Sequence, residues 1–324
     1  MTRETRPRAD GYAPLGLVTD AAALGLSTST IRSEFGSCVA RHPPTRSSTR
    51  ATIFLHGAAG SWTTWTPLLQ TAAAHGVDLG DTVLLDLPGW GDAELSEHAV
   101  RDSERTMLAI GSLVKDTAEH LGYTEWDLVG HSLGGFVALH MASLWPESVL
   151  SVGMVSGTTF AVIHSVERPF TRFGELPGFT MLWRFMQFLA VLGPGGRAFV
   201  RGVGAIGLLR PVTFPLFRHW MRVPPSQGAA LAEELRPRSF ATAARAVRGY
   251  DADARWSTIQ CPVRATKGDR DVFVTDEDHA HLGRLLPDSI RSVILDCGHF
   301  GAVERPAEVL VALGYAPTLS VPGL

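Results

Sequence analysis

The sequence predicts an α/β fold, a doubly wound and mostly parallel sheet with a helical cap insertion, and three observations carry that expectation. Short apolar runs alternate along the chain with longer segments of helical periodicity. The short runs are apolar almost throughout, which suits strands covered on both faces. Between Gly157 and about Tyr250 that rhythm stops and the charge changes abruptly: the segment holds 12 Arg and 4 Glu with neither Lys nor Asp, a formal +8 in a chain of net charge −3.

In chain order, residues 1–28 read as a loosely ordered lead-in. Ser29 to Arg41 has room for one or two strands, and the polar stretch HPPTRSSTR after it is a turn. Strand candidates follow at Thr52–Leu55, Thr82–Leu87, Trp126–Gly130, Val149–Ser156, Cys261–Gly268 and Arg291–Asp296. Between them, Met107, Ile110, Val114, Ala118 and Leu121 keep helical spacing, with Gly122 placed to end that helix. Gly134 to Trp145 is a second helix, stopped by Pro146, and Pro306 opens a last one through Leu313. The expected organisation is a core of residues 29–156 and 251–324, interrupted by a helical cap over 157–250.

At 324 residues, 45% hydrophobic and 19% charged, the chain can bury one large core with a sizeable insertion. Its charge favours neither nucleic acid nor membrane as a partner. The 3 cysteines form no metal-ligand spacing and no disulfide framework, which points to a reducing compartment. No apolar run follows the charged N-terminal stretch, so no secretion signal is expected. The most apolar window, Phe179 to Gly193, carries Arg184 and is too short to span a bilayer. These features suggest a cytoplasmic protein without stable membrane insertion; they leave its oligomeric state open.

The chemistry concentrates in Gly130-His131-Ser132-Leu133-Gly134, a G-x-S-x-G run between a strand and a helix. Such a sharp turn needs glycines beside the serine. It lifts the hydroxyl to the end of the sheet, where the helix N-terminus favours developing negative charge. A serine hydroxyl is a weak nucleophile and needs a base, itself oriented by an acid. His299, in the loop after the strand Arg291–Asp296, is the candidate base. Asp269 and Asp271 both follow the strand Cys261–Gly268. Asp271 is preferred for its G-x-x-D spacing from Gly268 and for the apolar Val272-Phe273-Val274 that can bury it, leaving Asp269 as a turn residue.

An oxyanion would need two donors. The backbone N–H of Leu133 is one, and Ala58 in His56-Gly57-Ala58-Ala59-Gly60 is the other, because small residues there allow close approach. His56 is expected to pack or hydrogen-bond beneath that loop. Asp86-Leu87-Pro88-Gly89-Trp90-Gly91 is a further tight turn that should shape the site wall, with Trp90 a candidate substrate contact. His279 and His281, two apart on a helix, point away from each other and do not suggest a metal pair. No phosphate loop, metal-ligand cluster or nucleotide fingerprint is present, and neither metal nor cofactor is expected.

In this order, FLHGAAG, DLPGWG, GHSLGG, GDRDVF and GHFGAVERP resemble the α/β-hydrolase superfamily in its capped form, over roughly Thr52 to Leu313. The resemblance implies a triad of Ser132, Asp271 and His299, with Ala58 and Leu133 as oxyanion donors. Asp92 departs from it where serine is common. Haloalkane dehalogenases and epoxide hydrolases of that superfamily use aspartate as nucleophile, so Ser132 argues against both. Hydrolysis of a carboxylic ester is the leading expectation, with thioester or carbon–carbon bond hydrolysis as alternatives, and a non-catalytic receptor on the same scaffold as the remote one. His131 and Leu133 lean away from the carbon–carbon hydrolases, which often carry Asn and Met there. The aromatic residues of the cap should cover the core, and part of them could line a pocket for a small-molecule substrate with an apolar portion. Its arginines would suit an anionic substrate, an acidic lipid surface, or simply a solvated face.

Overall fold

Each apolar run becomes a strand of one eight-stranded sheet in a computed structural model that describes residues 11–97, 103–208 and 213–315. The first ten residues of the expected lead-in, 98–102, 209–212 of the expected cap and 316–324 lie outside the described residues. The strands are β1 (Ser27–Ser33), β2 (Gly36–His42), β3 (Arg50–Leu55), β4 (Asp81–Asp86), β5 (Glu125–His131), β6 (Val149–Val155), β7 (Val263–Gly268) and β8 (Ile290–Ile294). They lie in the order β1-β2-β4-β3-β5-β6-β7-β8, antiparallel at the first two pairings and parallel from β4 onward.

Because side chains alternate across a strand, an all-apolar run feeds two layers at once. Ile53, Leu55, Val83, Leu85 and Leu128 belong to one buried cluster, while Phe54, Leu84, Val129 and Val155 belong to the other. Helix α1 (Thr66–Ala74) contributes to the second layer. On the other face lie α2 (Ser103–His120) and α3 (Leu133–Leu144), the latter packed on β5 and β6. Strand ends shift by a residue or two from the sequence reading. The seventh strand starts at Val263, after Pro262, which has no N–H to give a ladder and serves through its carbonyl, accepting from Val152 at 2.9 Å.

The chain between β6 and β7 is helical among its described residues. It forms α4 (Phe160–Glu167), α5 (Pro177–Val191), α6 (Pro194–Ala205), α7 (Pro225–Glu234) and α8 (Pro237–Ala246). Proline opens α5 through α8, where its missing N–H costs no helical bond. Helix α8 packs against α5 and α2, which holds this layer above the strand ends. Then α9 (Ala252–Trp256) leads back to β7, followed by α10 (Asp276–Leu285), β8, α11 (Gly301–Glu304) and α12 (Pro306–Ala312). No helix among the described residues is long and apolar enough to cross a membrane.

The expected lead-in needs correction. Strand β1 begins inside it, and Tyr12 is fully buried, its hydroxyl donating to Glu304 Oε2 at 2.8 Å. Ala13 N–H donates to the Glu304 carbonyl at 2.8 Å. A tether to a residue so far along the chain leaves no local pattern, so residues 11–28 read as loose although Tyr12 and Ala13 are held in place.

Candidate active site

Strand β5 and helix α3 are joined by a single residue, Ser132, with φ 51° and ψ −116°. This left-handed backbone is strained for any residue with a Cβ, and the packing around it leaves no alternative path. A Cβ on Gly130 would fall 2.2 Å from the Gly134 carbonyl oxygen, and one on Gly134 only 2.0 Å from that of Leu55. Both glycines are therefore steric requirements of the turn. The Ser132 N–H donates to the Val155 carbonyl at 3.2 Å, and its own carbonyl accepts from Gly135 and Thr158.

After β8 the chain turns back so that His299 faces the same site. Its Nδ1 lies 2.9 Å from Asp271 Oδ1. A carboxylate only accepts, so Nδ1 carries the proton and Nε2 keeps its lone pair. The same Oδ1 also accepts from the N–H groups of Phe273 at 2.8 Å and Val274 at 3.1 Å. Burial pushes the Asp271 carboxyl up. The His299 ring, the Phe273 N–H and the Ser156 hydroxyl beside it outweigh that and hold it below the usual carboxylate range. Asp269 does not reach the histidine. Its Oδ1 accepts from Cys297 N–H at 3.0 Å and so pins the base of the His299 loop.

Two residues tie this loop down in a role that the sequence did not show. The fully buried Glu304 accepts through Oε2 from the N–H groups of Arg218 and Gly298 and from Tyr12, and through Oε1 from Phe300 N–H at 3.1 Å. It thereby holds the backbone on both sides of His299. His131, next to the serine, donates from Nε2 to the His299 carbonyl at 2.9 Å and packs its ring against Phe300. Burial, reinforced by the neighbouring His299, pushes His131 down to about 3, so it stays neutral. Glu304 lies within GHFGAVERP, and its place five residues after the histidine was the only local signal.

Ala58 and Leu133 line the same cavity as Ser132 and His299, a space of about 710 Å³. Leu133 is the first residue of α3, so its N–H has no intrahelical partner and is free to meet an incoming group. His56 sits beneath the loop as expected from its position: Nδ1 donates to the Gly57 carbonyl, and Nε2 accepts from Leu87 N–H at 3.0 Å. Trp90 does not contact this space. It is buried against the His56 ring and belongs to the core, which corrects its reading as a substrate contact. Asp92 pairs with Arg41.

The roof of the cavity comes from the helical layer, with Phe179 and Leu182 of α5, Leu231 of α7, and Phe240 and Ala243 of α8. Among the described residues its lining has no charged side chain, and its polar groups are Ser132, His299, Thr158 and Thr213. None of the described arginines of residues 157–250 lines the cavity. Among the described residues no group of three or more His, Cys, Asp or Glu is placed to hold a metal ion. His281 instead stacks on Phe160 and pairs with Asp253.

A family model described as alpha/beta hydrolase family matches residues 52–313. Over 90 residues the chain is 32% identical to 2-succinyl-6-hydroxy-2,4-cyclohexadiene-1-carboxylate synthase of Photorhabdus laumondii, covering 28% of each chain. Over 108 residues it is 31% identical to 2-hydroxy-6-oxononadienedioate/2-hydroxy-6-oxononatrienedioate hydrolase of Klebsiella pneumoniae, covering 33% of this chain and 36% of that one. These alignments therefore span well under half the length of either relative. The solved structure of the epoxide hydrolase CorEH superposes with a TM-score of 0.66 at 19% identity, covering 89% of this chain and 98% of the other, a likeness of fold.

Proposed function

From the premise that the chain belongs to the alpha/beta hydrolase family, we propose that it is a serine hydrolase cleaving a carboxylic ester with an apolar acyl group, residues 157–250 forming its cap. One observation carries this reading. Ser132, held on a strained turn, shares an almost wholly apolar cavity with His299, whose far nitrogen is bonded to Asp271.

In this mechanism Ser132 Oγ attacks the ester carbonyl carbon while His299 Nε2 takes the hydroxyl proton. The negative charge moves to the carbonyl oxygen, where the N–H groups of Ala58 and Leu133 stabilise it. Asp271 steadies the imidazolium. Collapse breaks the bond to the alcohol, which leaves with the proton from His299. Water, deprotonated by the same nitrogen, then attacks the acyl-Ser132 carbonyl, and the acid departs as Ser132 regains its proton.

An apolar lining favours a neutral acyl chain, since a buried carboxylate without a partner is costly to hold. The similarity to the Klebsiella hydrolase of a dioate supports carbon–carbon bond hydrolysis as a second reading. The lack of a basic side chain in the lining weighs against it. A panel of chromogenic esters of rising chain length, run on wild type and Ser132→Ala, tests the proposal. Turnover that rises with chain length and vanishes in the variant is expected. Saturable binding without product would instead indicate a receptor, and undiminished turnover in Ser132→Ala would exclude the serine.

A further inference from the structure

We propose that the outward face of α5, with its neighbours in the helical layer, is a docking surface for an anionic lipid bilayer, set around the mouth of the Ser132 cavity. The argument starts from α5 itself. A helix lying on a globular core buries one apolar stripe and turns polar residues outward. The buried stripe is present as Phe179, Trp183, Met186 and Leu189. The opposite face, however, is also apolar: Met181, Phe188 and Val191 are 64%, 62% and 86% exposed, and Phe185 stands among them. The Phe185 ring meets Phe199 of α6 edge-on at 6.5 Å, so the patch runs across two helices. Such a contiguous apolar surface marks a binding face.

Charge and position together name the occupant. Residues 157–250 carry a formal +8, all of the cations arginine. Three of the four glutamates there are taken up by arginines of the same segment, in Arg172–Glu175, Arg197–Glu233, Arg201–Glu233 and Arg236–Glu234. Arg184 lies at the patch itself, over the 84% exposed Phe170 ring. Exposed apolar side chains with a cation beside them, on a segment of net positive charge, match a lipid surface of negative charge. Met181 and Phe185 also line the cavity, so its mouth opens within the patch. A protein seated there would close the way in, whereas a bilayer offers apolar chains at that opening. At 15 residues α5 is too short to span, so it would lie in the interface. Docking stands on exposure and charge alone; delivery of substrate to Ser132 from the bilayer rests on the ester-hydrolase reading.

Co-sedimentation with phosphatidylcholine vesicles containing about one third phosphatidylglycerol tests the surface at low ionic strength and at about 0.5 M salt, where charge is screened. Wild type and Ser132→Ala are expected to pellet alike at low salt, and both to be released by high salt or by vesicles without the anionic lipid. The double variant Phe188→Glu/Val191→Glu should partition at least ~10-fold less, since each introduced charge opposes burial. Its turnover of a soluble short-chain ester should match wild type, because neither position lines the cavity. Arg184→Gln, which removes the cation and no exposed apolar side chain, should weaken partition roughly fivefold. Val311→Glu, on the exposed face of α12, should pellet as wild type does. The proposal is overturned if wild type stays in the supernatant, or if the double variant pellets equally well. It is also overturned if ultracentrifugation without lipid shows a dimer that the double variant abolishes, since a second copy would then cover this face.

Discussion

Asp271 Oδ1 and His299 Nδ1 stand 2.9 Å apart, both side chains buried, and Asp269 two residues earlier is turned away toward Cys297. This contact fixes the histidine tautomer and leaves Nε2 as the basic nitrogen. Asp271→Asn would present an amide that can donate to Nδ1 and so favour the wrong tautomer. A kcat loss of ~10³- to 10⁴-fold at neutral pH, with little change in KM, is expected. Asp269→Asn keeps an oxygen for the Cys297 N–H and should cost less than about tenfold. Steady-state kinetics on the pair decides between them, and the reverse ranking would move the acid to Asp269.

Glu304 receives backbone donors on both of its oxygens, from Arg218 and Gly298 on one and from Phe300 on the other. In Glu304→Gln one of those oxygens becomes an NH₂ group facing an N–H. The His299 loop should loosen, lowering kcat by roughly 10- to 100-fold and stability by about 1–3 kcal/mol. Kinetics together with urea denaturation would reveal it. Wild-type values in both would mean that the loop holds its shape without this clamp.

Gly134 lies so close to β3 that a methyl group cannot enter without moving backbone. Gly134→Ala is expected to destabilise by at least ~2 kcal/mol and to remove activity, because the Ser132 turn must open to admit it. A denaturation midpoint equal to wild type would show the turn to be less tightly determined.

Acid should weaken the fold through histidines. Burial holds His131 down to about 3 and His140 down to about 4. Between the ordinary histidine value of about 6.5 and those values, the unfolded chain binds protons that the native chain refuses, so stability falls as pH is lowered. Glu304 and Glu234, raised by burial, act with the opposite sign from the ordinary glutamate value upward. The melting temperature should drop between about pH 7 and pH 5. His140→Gln, lacking one of the titrating rings, should lose less over the same interval. A flat profile for wild type would contradict the burial of these rings.

The sheet is legible in the sequence because each parallel strand is apolar on both faces, as Ile53, Phe54 and Leu55 show by feeding two layers. The serine turn is equally legible, since Gly130 and Gly134 sit where only glycine fits. What stays hidden depends on partners distant in the chain. Nothing around Tyr12 announces its hydrogen bond to Glu304, and nothing around His131 announces its bond to the His299 carbonyl. Trp90 misleads for the same reason: a tryptophan in a glycine-rich turn looks available, and only the packed structure shows it buried. The charge of residues 157–250 is plain in the sequence, but that the described arginines lie outside the cavity follows from how the helices pack.

Reaction with a fluorophosphonate bears most directly on Ser132 as the nucleophile. Attack by Oγ would form a phosphorus–oxygen bond and expel fluoride, leaving a stable adduct that mass spectrometry can locate. One phosphonyl group per chain on Ser132 is expected, formed far more slowly in His299→Ala and absent in Ser132→Ala, with ester turnover lost in step. Full turnover in a chain that carries no adduct at Ser132, or a label on another residue that alone abolishes activity, would contradict it.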